Sequence, residues 1–251
     1  MNTARRLIQA PQVTSPHHAL AVDDALVQTA TQSTLRIWQN HPCVVLGRFD
    51  VRLQNIEQAI DAFGSKKMPL LKRSSGGTAV WHGPGVFNVS VFAPADEVPS
   101  GVHEAFESLA AGMVEGLETL NIQAEFGQVP GTYCDGPHNL VIEGKKVAGL
   151  AQTRKRNGVL VHASILTDLD LDEMHDWIEF FYEKAGQPQQ FARGKVVTLT
   201  QALGANIDFP AFVEAMVKGY SDENHSIELG ELTADEASLA ENLSKNILLK
   251  K

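Results

Sequence analysis

Two side chains with reactive potential, Cys134 and Lys146, lie twelve residues apart in the second half of the chain. Cys134 stands in residues 130–137, which are rich in Gly, Pro and Asp and therefore predict a loop. A loop cysteine can act as a nucleophile, and a nearby ammonium would favour its thiolate. The alternatives are an inert cysteine and a lysine that snorkels from a strand edge. Cys43, in an apolar run, is expected to be inert core.

A glycine-rich segment, residues 72–82, precedes both side chains and reads Lys-Arg-Ser-Ser-Gly-Gly-Thr-Ala-Val-Trp-His. Glycines let the backbone approach a ligand and present N–H groups to an anion or a carbonyl. Arg73 adds a fork of donors. The spacing matches neither a Walker A loop nor GxGxxG. Alone, the segment equally predicts a tight turn before a strand.

Polar residues also stand in and after this segment. His82, beside Trp81, is a candidate acid–base group, although a packed or surface histidine is the commoner outcome. Residues 86–92 alternate as Val-Phe-Asn-Val-Ser-Val-Phe, which predicts a strand. Asn88 and Ser90 would share one face of that strand, where they could bind a ligand or face solvent.

The elements that must position these residues alternate between helices and antiparallel hairpins. Ser15 and Pro16 predict the cap and first residue of a helix that ends at Gln28. Further helices are predicted at residues 51–63, 103–120, 172–185 and 210–220, and from the capping box of Thr233 and Glu236 to about Leu248. Strands are predicted at residues 35–38 and 43–46, around an Asn-His-Pro turn, and at 86–92, 140–142, 146–151 and 159–166. This order predicts an α+β fold, with a mixed, largely antiparallel sheet and packed helices, rather than a doubly wound sheet.

Composition excludes several classes of protein. The hydrophobic fraction of 43% is enough for a core, and the charged fraction of 20% is not that of a disordered chain. The net charge of −9 argues against nucleic acid as the main partner. No apolar run is long enough to span a membrane, and two cysteines without a CxxC pair give little support to a disulfide framework or a structural zinc site. The expected location is the reducing cytoplasm.

Two segments together resemble a known family. Residues 72–90 resemble the RRxSGGGAVxHxxGxxNxS pattern of the biotin/lipoate protein ligase and transferase family, and residues 144–152 resemble its GxKIAGxAQ pattern. Their order and separation fit, and the similarity spans roughly residues 15–220. The chain departs from the first pattern at Lys72, Thr78 and Gly83. Thr78 replaces a glycine, so a side chain stands where an adenylate-binding ligase keeps bare backbone.

The resemblance implies a catalytic domain like those of class II aminoacyl-tRNA synthetases and biotin ligases, with a tunnel for a medium-chain acyl group. Lys146 matches the family's lysine and would hold the acyl carbonyl, where a fixed ammonium stabilises a developing oxyanion. The residues expected to bind the acyl group or substrate are Arg73, Ser75, Gly76, Gly77, Thr78, Ala79, His82, Asn88, Gly149, Ala151 and His162. The catalytic domain is expected over residues 1–222, with residues 223–251 as a C-terminal helical extension of the same domain.

The segment around Cys134 separates two chemistries within the family. Residues 130–137 resemble the PGSYCPGxYDL stretch of cysteine-dependent octanoyltransferases, in particular the amidotransferase that takes octanoate from the glycine cleavage H protein. Residues 161–166 instead resemble the HGSIL of the ligases and of the other octanoyltransferase branch. We expect an enzyme that moves an octanoyl or lipoyl group to the target lysine of lipoyl domains through a Cys134 acyl-enzyme. The alternatives are an ATP-dependent lipoate ligase that acts through lipoyl-AMP, and a non-catalytic protein that binds acylated domains.

The partners and cofactors follow from the resemblance. The expected partners are lipoyl domains of 2-oxoacid dehydrogenases, the glycine cleavage H protein or an acyl carrier protein, with the chain a monomer. A transferase would need no cofactor beyond its octanoyl or lipoyl substrate and no metal, whereas a ligase would need ATP and magnesium. Five basic side chains are concentrated between residues 145 and 156: Lys145, Lys146, Arg154, Lys155 and Arg156. They predict either a positive patch that steers an acidic lipoyl domain or a solvated hairpin end.

Overall fold

The computed structural model describes residues 3–223 and 225–250, which form eleven strands and seven α-helices within those ranges. The strands are Thr3–Ala10 (β1), Thr34–Gln39 (β2), Cys43–Leu46 (β3), Leu70–Lys72 (β4), Val80–His82 (β5), Val86–Pro94 (β6), Glu125–Gly127 (β7), Asn139–Ile142 (β8), Lys145–Arg154 (β9), Gly158–Leu166 (β10) and His225–Leu229 (β11). The helices are Pro16–Thr29 (α1), Ile56–Ser65 (α2), Val102–Glu118 (α3), Leu171–Lys184 (α4), Leu199–Leu203 (α5), Phe209–Tyr220 (α6) and Ala234–Ser244 (α7).

Two sheets organise these elements. The large sheet has the order β11-β1-β2-β6-β10-β9-β8-β7, and the small one has the order β4-β3-β5. In the large sheet β1 pairs in parallel with both β11 and β2, whereas its other pairs are antiparallel. The predicted fold class, a mixed and largely antiparallel sheet with packed helices, is confirmed.

The large sheet is covered on both faces, which explains why strand β6 is buried along its whole length. On one face Val89 and Val91 pack with helices α3 and α6, and on the other Phe92 packs with α1 and the small sheet. Asn88 and Ser90 alternate with the two valines and are buried as well. The expectation that this polar pair could face solvent is therefore wrong.

Most helices and strands lie where the sequence predicts them, and the shifts have local causes. The cap at Ser15 is confirmed, because its hydroxyl accepts the His18 N–H. The second helix starts at Ile56 instead of Val51, after a 3-10 turn over Asp50–Arg52. Strands β2 and β3 belong to different sheets, so the turn between them does not close a hairpin.

The last helix has the predicted capping box of Thr233 and Glu236, but it ends at Ser244 rather than Leu248. The chain leaves the helix because the Lys72 N–H donates to the Ile247 carbonyl and the Leu249 N–H donates to the Leu70 carbonyl. Residues 223–251 also contain strand β11, which pairs with β1, and α7 packs against α1. The division of the chain at residue 222 stays a prediction.

Among the described residues, no helix combines the length and apolar character needed to cross a membrane. Within the same ranges, no group of three or more His, Cys, Asp and Glu side chains could hold a metal ion.

Candidate active site

Cys134 lies in the loop between β7 and β8, with its backbone in the left-handed region at φ 46°. This conformation costs a non-glycine residue about 1–3 kcal/mol, so neighbouring contacts must hold it. The Cys134 N–H donates to Thr78 Oγ1 at 3.0 Å. Its carbonyl oxygen accepts from Asn139 Nδ2 at 2.8 Å and from Lys146 Nζ at 3.0 Å. The structure therefore fixes the cysteine backbone from both sides.

Lys146 follows the turn that joins β8 to β9, and its side chain is fully buried. The ammonium donates to the carbonyl oxygens of Tyr133 and Cys134 and lies 4.0 Å from the centre of the Tyr133 ring. Burial lowers the pKa of Lys146 to about 8, against the opposing pull of the Cys134 and Asp135 side chains. The snorkelling alternative is thus wrong. The predicted contact with an acyl carbonyl stays a prediction.

Asn139 links this loop to strand β9. Its amide nitrogen holds the Cys134 carbonyl, and its Oδ1 accepts the Leu150 N–H at 3.2 Å. The side chain is 1% exposed, so both bonds form away from water. The loop and the lysine strand consequently form one rigid unit.

Arg73 holds the backbone of the glycine-rich segment through hydrogen bonds from its side chain. Its guanidinium donates to the carbonyl oxygens of Val45, Gly76 and Thr78 at 2.7–3.1 Å. Burial lowers the pKa of this guanidinium. Because these donors are occupied by the backbone, Arg73 shapes the loop in this structure, and a direct bond to a substrate stays a prediction.

Gly77 brings the glycine-rich segment against the thiol. Its φ is 84°, and a Cβ at this position would lie 2.8 Å from Cys134 Sγ and 3.0 Å from Arg73 Nη2. Such a contact is closer than van der Waals packing allows, so only glycine permits this approach of backbone and sulfur. The predicted approach of this backbone to a ligand stays a prediction, and the structure shows Gly77 close to the Cys134 thiol instead.

Cys134 lies between two cavities. The outer cavity has a volume of about 600 Å³, within the usual range of small-molecule sites. The outer lining includes Gly76, Gly77, Thr78, Phe106, Cys134, His138, Leu150, Ala151 and Gln152. The inner cavity has room for about one water molecule, ≈ 10 Å³. It is lined by Arg73, Val80, His82, Cys134, Gly149, Leu150, Ala151, His162 and Ser164.

The inner cavity ends on two neutral histidines, of which His82 is buried and His162 is half-buried. Burial lowers the pKa of His82 and that of His162 to about 3 each. His82 Nε2 lies 3.0 Å from Ser164 Oγ, and His162 Nε2 lies 2.7 Å from Ser75 Oγ. Since the Ser164 hydroxyl donates to Asn88 Oδ1, the His82 Nε2–H is assigned as the donor to Ser164. His82 is packed and hydrogen-bonded in this structure, and its predicted role in acid–base chemistry or substrate binding stays a prediction.

Most of the predicted site residues line the two cavities, and four of them lie outside the cavity walls. Nine line one or both cavities: Arg73, Gly76, Gly77, Thr78, His82, Cys134, Gly149, Ala151 and His162. Ser75 and Asn88 support lining residues through the bonds to His162 and Ser164. Ala79 is buried, and its N–H donates to the Tyr182 hydroxyl. Lys146 donates to the carbonyl oxygen of Cys134 and so holds the cysteine loop.

Sequence reasoning missed several residues of the site. Ser164 belongs to the run 161–166 already compared with the family, so its place opposite Gly149 was open to prediction. Gln152 is the last residue of the compared segment 144–152, so its place was open to prediction too, whereas His138 and Asn139 follow the compared segment 130–137 and carried no separate signal. Cys43 is fully buried, as expected, and burial raises the pKa of its thiol.

The five basic residues at 145–156 do not form one patch. Strand β9 separates Lys145 from Arg154 by nine residues, or roughly 30 Å at about 3.3 Å per residue. Lys146 is buried, and Arg154 donates to the carbonyl oxygens of Pro99 and Gly101. The predicted single patch is therefore wrong. Arg154, Lys155 and Arg156 remain together at the end of β9 where Arg154 lines the outer cavity.

The fold and the cysteine–lysine site define a catalytic domain of acyl-group attachment enzymes. Residues 15–221 match the model of the lipoyl protein ligase A/B catalytic domain family. The chain belongs to this family, as the two sequence patterns predicted.

Curated relatives carry transferase names. The chain is 35% identical to an octanoyl-[GcvH]:protein N-octanoyltransferase of Kyrpidia tusciae, over 71% of this chain and 66% of that relative. It is 30% identical to an octanoyltransferase LipM of Brevibacillus brevis, over 91% of each chain. A solved lipoate-protein ligase A bound with ATP has a TM-score of 0.78 at 23% identity, covering 98% of this chain and 95% of that one. At that identity the solved structure establishes the fold.

Proposed function

We propose that the protein is an octanoyltransferase that moves an octanoyl group to the target lysine of lipoyl domains through an acyl-enzyme on Cys134. The observation that carries this proposal is the position of the thiol. Cys134 stands between an outer cavity of about 600 Å³ and the inner cavity, with its backbone held in a left-handed conformation by Thr78, Asn139 and Lys146. Relatives at 30–35% identity that bear octanoyltransferase names support the same chemistry.

The reaction has two balanced steps. The Cys134 thiolate attacks the acyl carbonyl, and the bond from that carbon to the donor's sulfur or nitrogen breaks. A thioester donor leaves as a thiolate, and an amide donor leaves as an amine after it takes a proton. The acceptor lysine then attacks the thioester, the carbon–sulfur bond breaks, and the amine loses a proton as the thiol is restored.

Lys146 supports this chemistry through fixed positive charge. Two of its three N–H donors hold the Tyr133 and Cys134 carbonyls. No described residue accepts a hydrogen bond from the third donor, which we propose for an acyl oxygen. The outer cavity would hold the acyl chain and the acceptor's lysine arm, and Phe106 and Leu150 on its wall give that chain apolar surface.

The acceptor and donor are proposed from the same relatives. We expect an octanoyl-bearing glycine cleavage H protein (GcvH) as one partner, because the name of the Kyrpidia relative includes octanoyl-[GcvH]. Lipoyl domains of 2-oxoacid dehydrogenases and an acyl carrier protein are the other proposed partners, the chain being a monomer. The ligase alternative has less support, because the ligase structures resemble this chain at 22–23% identity, which speaks to fold alone.

The test is intact-mass measurement after incubation with octanoyl carrier protein and, separately, with octanoylated H protein. The expected result is a mass increase of one octanoyl group, which is lost when a lipoyl domain is added. Cys134→Ala should abolish the adduct, and Cys43→Ala, which changes a fully buried thiol, should keep it. Undiminished octanoyl transfer by Cys134→Ala would disprove the proposal. Tight binding of lipoyl-AMP by the wild type would favour the ligase instead.

A further inference from the structure

The amide of Cys134 is bonded to a hydroxyl from another part of the chain. Thr78 Oγ1 accepts the Cys134 N–H at 3.0 Å, although the two residues are 56 positions apart. Thr78 stands where the family pattern has a glycine, which has no hydroxyl to offer. The Thr78 carbonyl meanwhile accepts from Arg73 Nη2 at 2.7 Å. Thr78 thus joins the glycine-rich segment to the cysteine loop.

Behind Thr78 lies a buried tyrosine on helix α4. The Tyr182 hydroxyl accepts the N–H of Ala79, the residue that follows Thr78, at 3.0 Å. The same hydroxyl donates to Asp50 Oδ1 at 3.0 Å. Tyr182 is 2% exposed and Asp50 is 5% exposed, so these bonds are shielded from water.

Asp50 closes the series on the opposite side of the glycine-rich segment. Its second oxygen, Oδ2, accepts the Gly47 N–H at 2.8 Å. A Cβ on Gly47 would lie 1.8 Å from the Gly77 carbonyl oxygen, so the Gly47 backbone directly backs the glycine that touches the thiol. One carboxylate therefore fixes both the tyrosine and the backbone behind Gly77.

We infer that Asp50, Tyr182 and Thr78 are positioning residues. They form a relay that runs from the Asp50 carboxylate through the Tyr182 hydroxyl and the Ala79 N–H to Thr78, holds the Cys134 amide and sets the thiol against Gly77. This inference rests on the proposed function for its catalytic meaning. The three side chains act through Cys134, and Asp50 and Tyr182 line neither cavity. Asp50 and Tyr182 are buried, so the hydrogen bonds between them and to the Ala79 N–H are costly to lose, whereas Thr78 is exposed at the outer cavity.

The relay also gives a physical reason for Thr78. A strained left-handed cysteine needs a partner for its N–H, and a glycine in place of Thr78 would leave that buried N–H without this acceptor. Thr78 and Cys134 both depart from the ligase pattern. The hydrogen bond between them makes these two departures parts of one structural feature.

The experiment is a double-mutant cycle of Thr78→Val and Tyr182→Phe in the full chain. Each variant removes a hydroxyl at nearly constant shape. The first measurement is the single-turnover rate of Cys134 acylation by octanoyl carrier protein. We expect each single variant to slow acylation about 2- to 10-fold at unchanged donor KM, the size of one net hydrogen bond. The double variant should lose less than the product of the single losses, because both act in one relay.

Two control variants separate positioning from general damage. Thr78→Ser keeps the hydroxyl and should restore the acylation rate. Tyr220→Phe removes another buried tyrosine hydroxyl, which donates to the Leu109 carbonyl at 2.8 Å away from the site. It should lower the melting temperature as Tyr182→Phe does while leaving acylation unchanged. Equal loss of acylation in Tyr182→Phe and Tyr220→Phe would overturn the inference.

Hydrogen exchange supplies a second measurement that does not depend on catalysis. The peptide that contains Cys134 should exchange faster in Thr78→Val and Tyr182→Phe, and not in Tyr220→Phe. Unchanged exchange in Thr78→Val overturns the relay even if the wild type transfers octanoate. Absence of any acyl-enzyme in the wild type overturns the proposed function, while the exchange result still decides the relay.

Discussion

The ammonium of Lys146 lies 3.0 Å from the carbonyl oxygen of Cys134, so the lysine holds the backbone of the residue whose thiol we propose as nucleophile. Its second carbonyl partner is that of Tyr133, the preceding residue. A buried charge is costly unless hydrogen bonds satisfy it. The lysine and the strained cysteine loop therefore stabilise each other, which connects the chemistry of the site to the stability of the fold.

The buried lysine predicts a pH dependence of stability. The pKa of Lys146 is lowered from 10.5 to about 8, so between those values the unfolded state binds more protons than the folded state. The free energy of unfolding should then rise with pH through this window, by up to about 3 kcal/mol, and the cost is fully present below pH 8. Urea denaturation at pH 7 and pH 10 of the wild type and Lys146→Met measures the difference.

Lys145→Met is the matched control for that measurement, because Lys145 is the exposed neighbour on the same strand. It should keep the wild-type pH dependence, whereas Lys146→Met should lose it. Lys146→Met should also abolish octanoyl transfer. An identical pH slope in the wild type and Lys146→Met would contradict the assignment of the buried charge.

Gly77→Ala should impair acylation through direct crowding of the thiol. The added Cβ would lie 2.8 Å from Cys134 Sγ on a backbone at φ 84°. Displacement of a reacting atom by about 1 Å can cost roughly 100-fold in rate, so we expect a loss near that size in single-turnover acylation. Gly76→Ala is the control, since a Cβ there meets nothing within 4 Å. Comparable rates for the two variants would show that the Gly77 contact is unimportant.

The two inner histidines predict sensitivity to acid. The pKa of His82 and that of His162 are lowered from 6.5 to about 3, so both rings stay neutral in the folded protein at pH 5. The unfolded state binds more protons between pH 6.5 and 3, and stability should fall as pH falls through that window. NMR spectra of the two rings should not titrate from pH 8 to 5. A ring that titrates near pH 6 would disprove this prediction.

The basic end of β9 predicts a charge effect on acceptor binding. Lys155 follows Arg154 at the outer cavity, while Lys145 lies at the other end of the strand. Lys155→Glu should raise the KM for an acidic lipoyl domain roughly 3- to 10-fold at low salt, because rim charges steer association. Lys145→Glu should have little effect. A KM for the wild type that is independent of salt would argue against steering.

Local patterns predicted much of the fold. Alternation identified β6, the capping residues identified α1 and α7, and turn residues identified the hairpin that carries Lys146. Strands β1, β4, β5, β7 and β11 were missed. The last four are only three to five residues long, and β1 is defined by parallel pairing with β2 and β11, which no local period reports.

The site residues, too, were predictable from local sequence patterns but not where distant segments meet. The resemblance identified Cys134, Lys146 and the glycine-rich segment, which are close in sequence to the compared patterns. It did not predict that the Lys146 donors would hold loop carbonyls, or that Tyr182 and Asp50 would meet across 132 positions. The charge pattern of residues 145–156 predicted a single basic patch, which is wrong because residues near in sequence lie far apart along an extended strand.

The pairing of residues 247–249 beside β4 has a consequence for the order in which the protein assembles during synthesis. The Lys72 N–H and the Leu70 carbonyl bond to Ile247 and Leu249, immediately before Arg73. These partners are separated by more than 170 residues of chain. The nascent glycine-rich segment therefore lacks this support until residues 247–249 have been made, so the backbone beside the Cys134 thiol is completed only after most of the large sheet has been made.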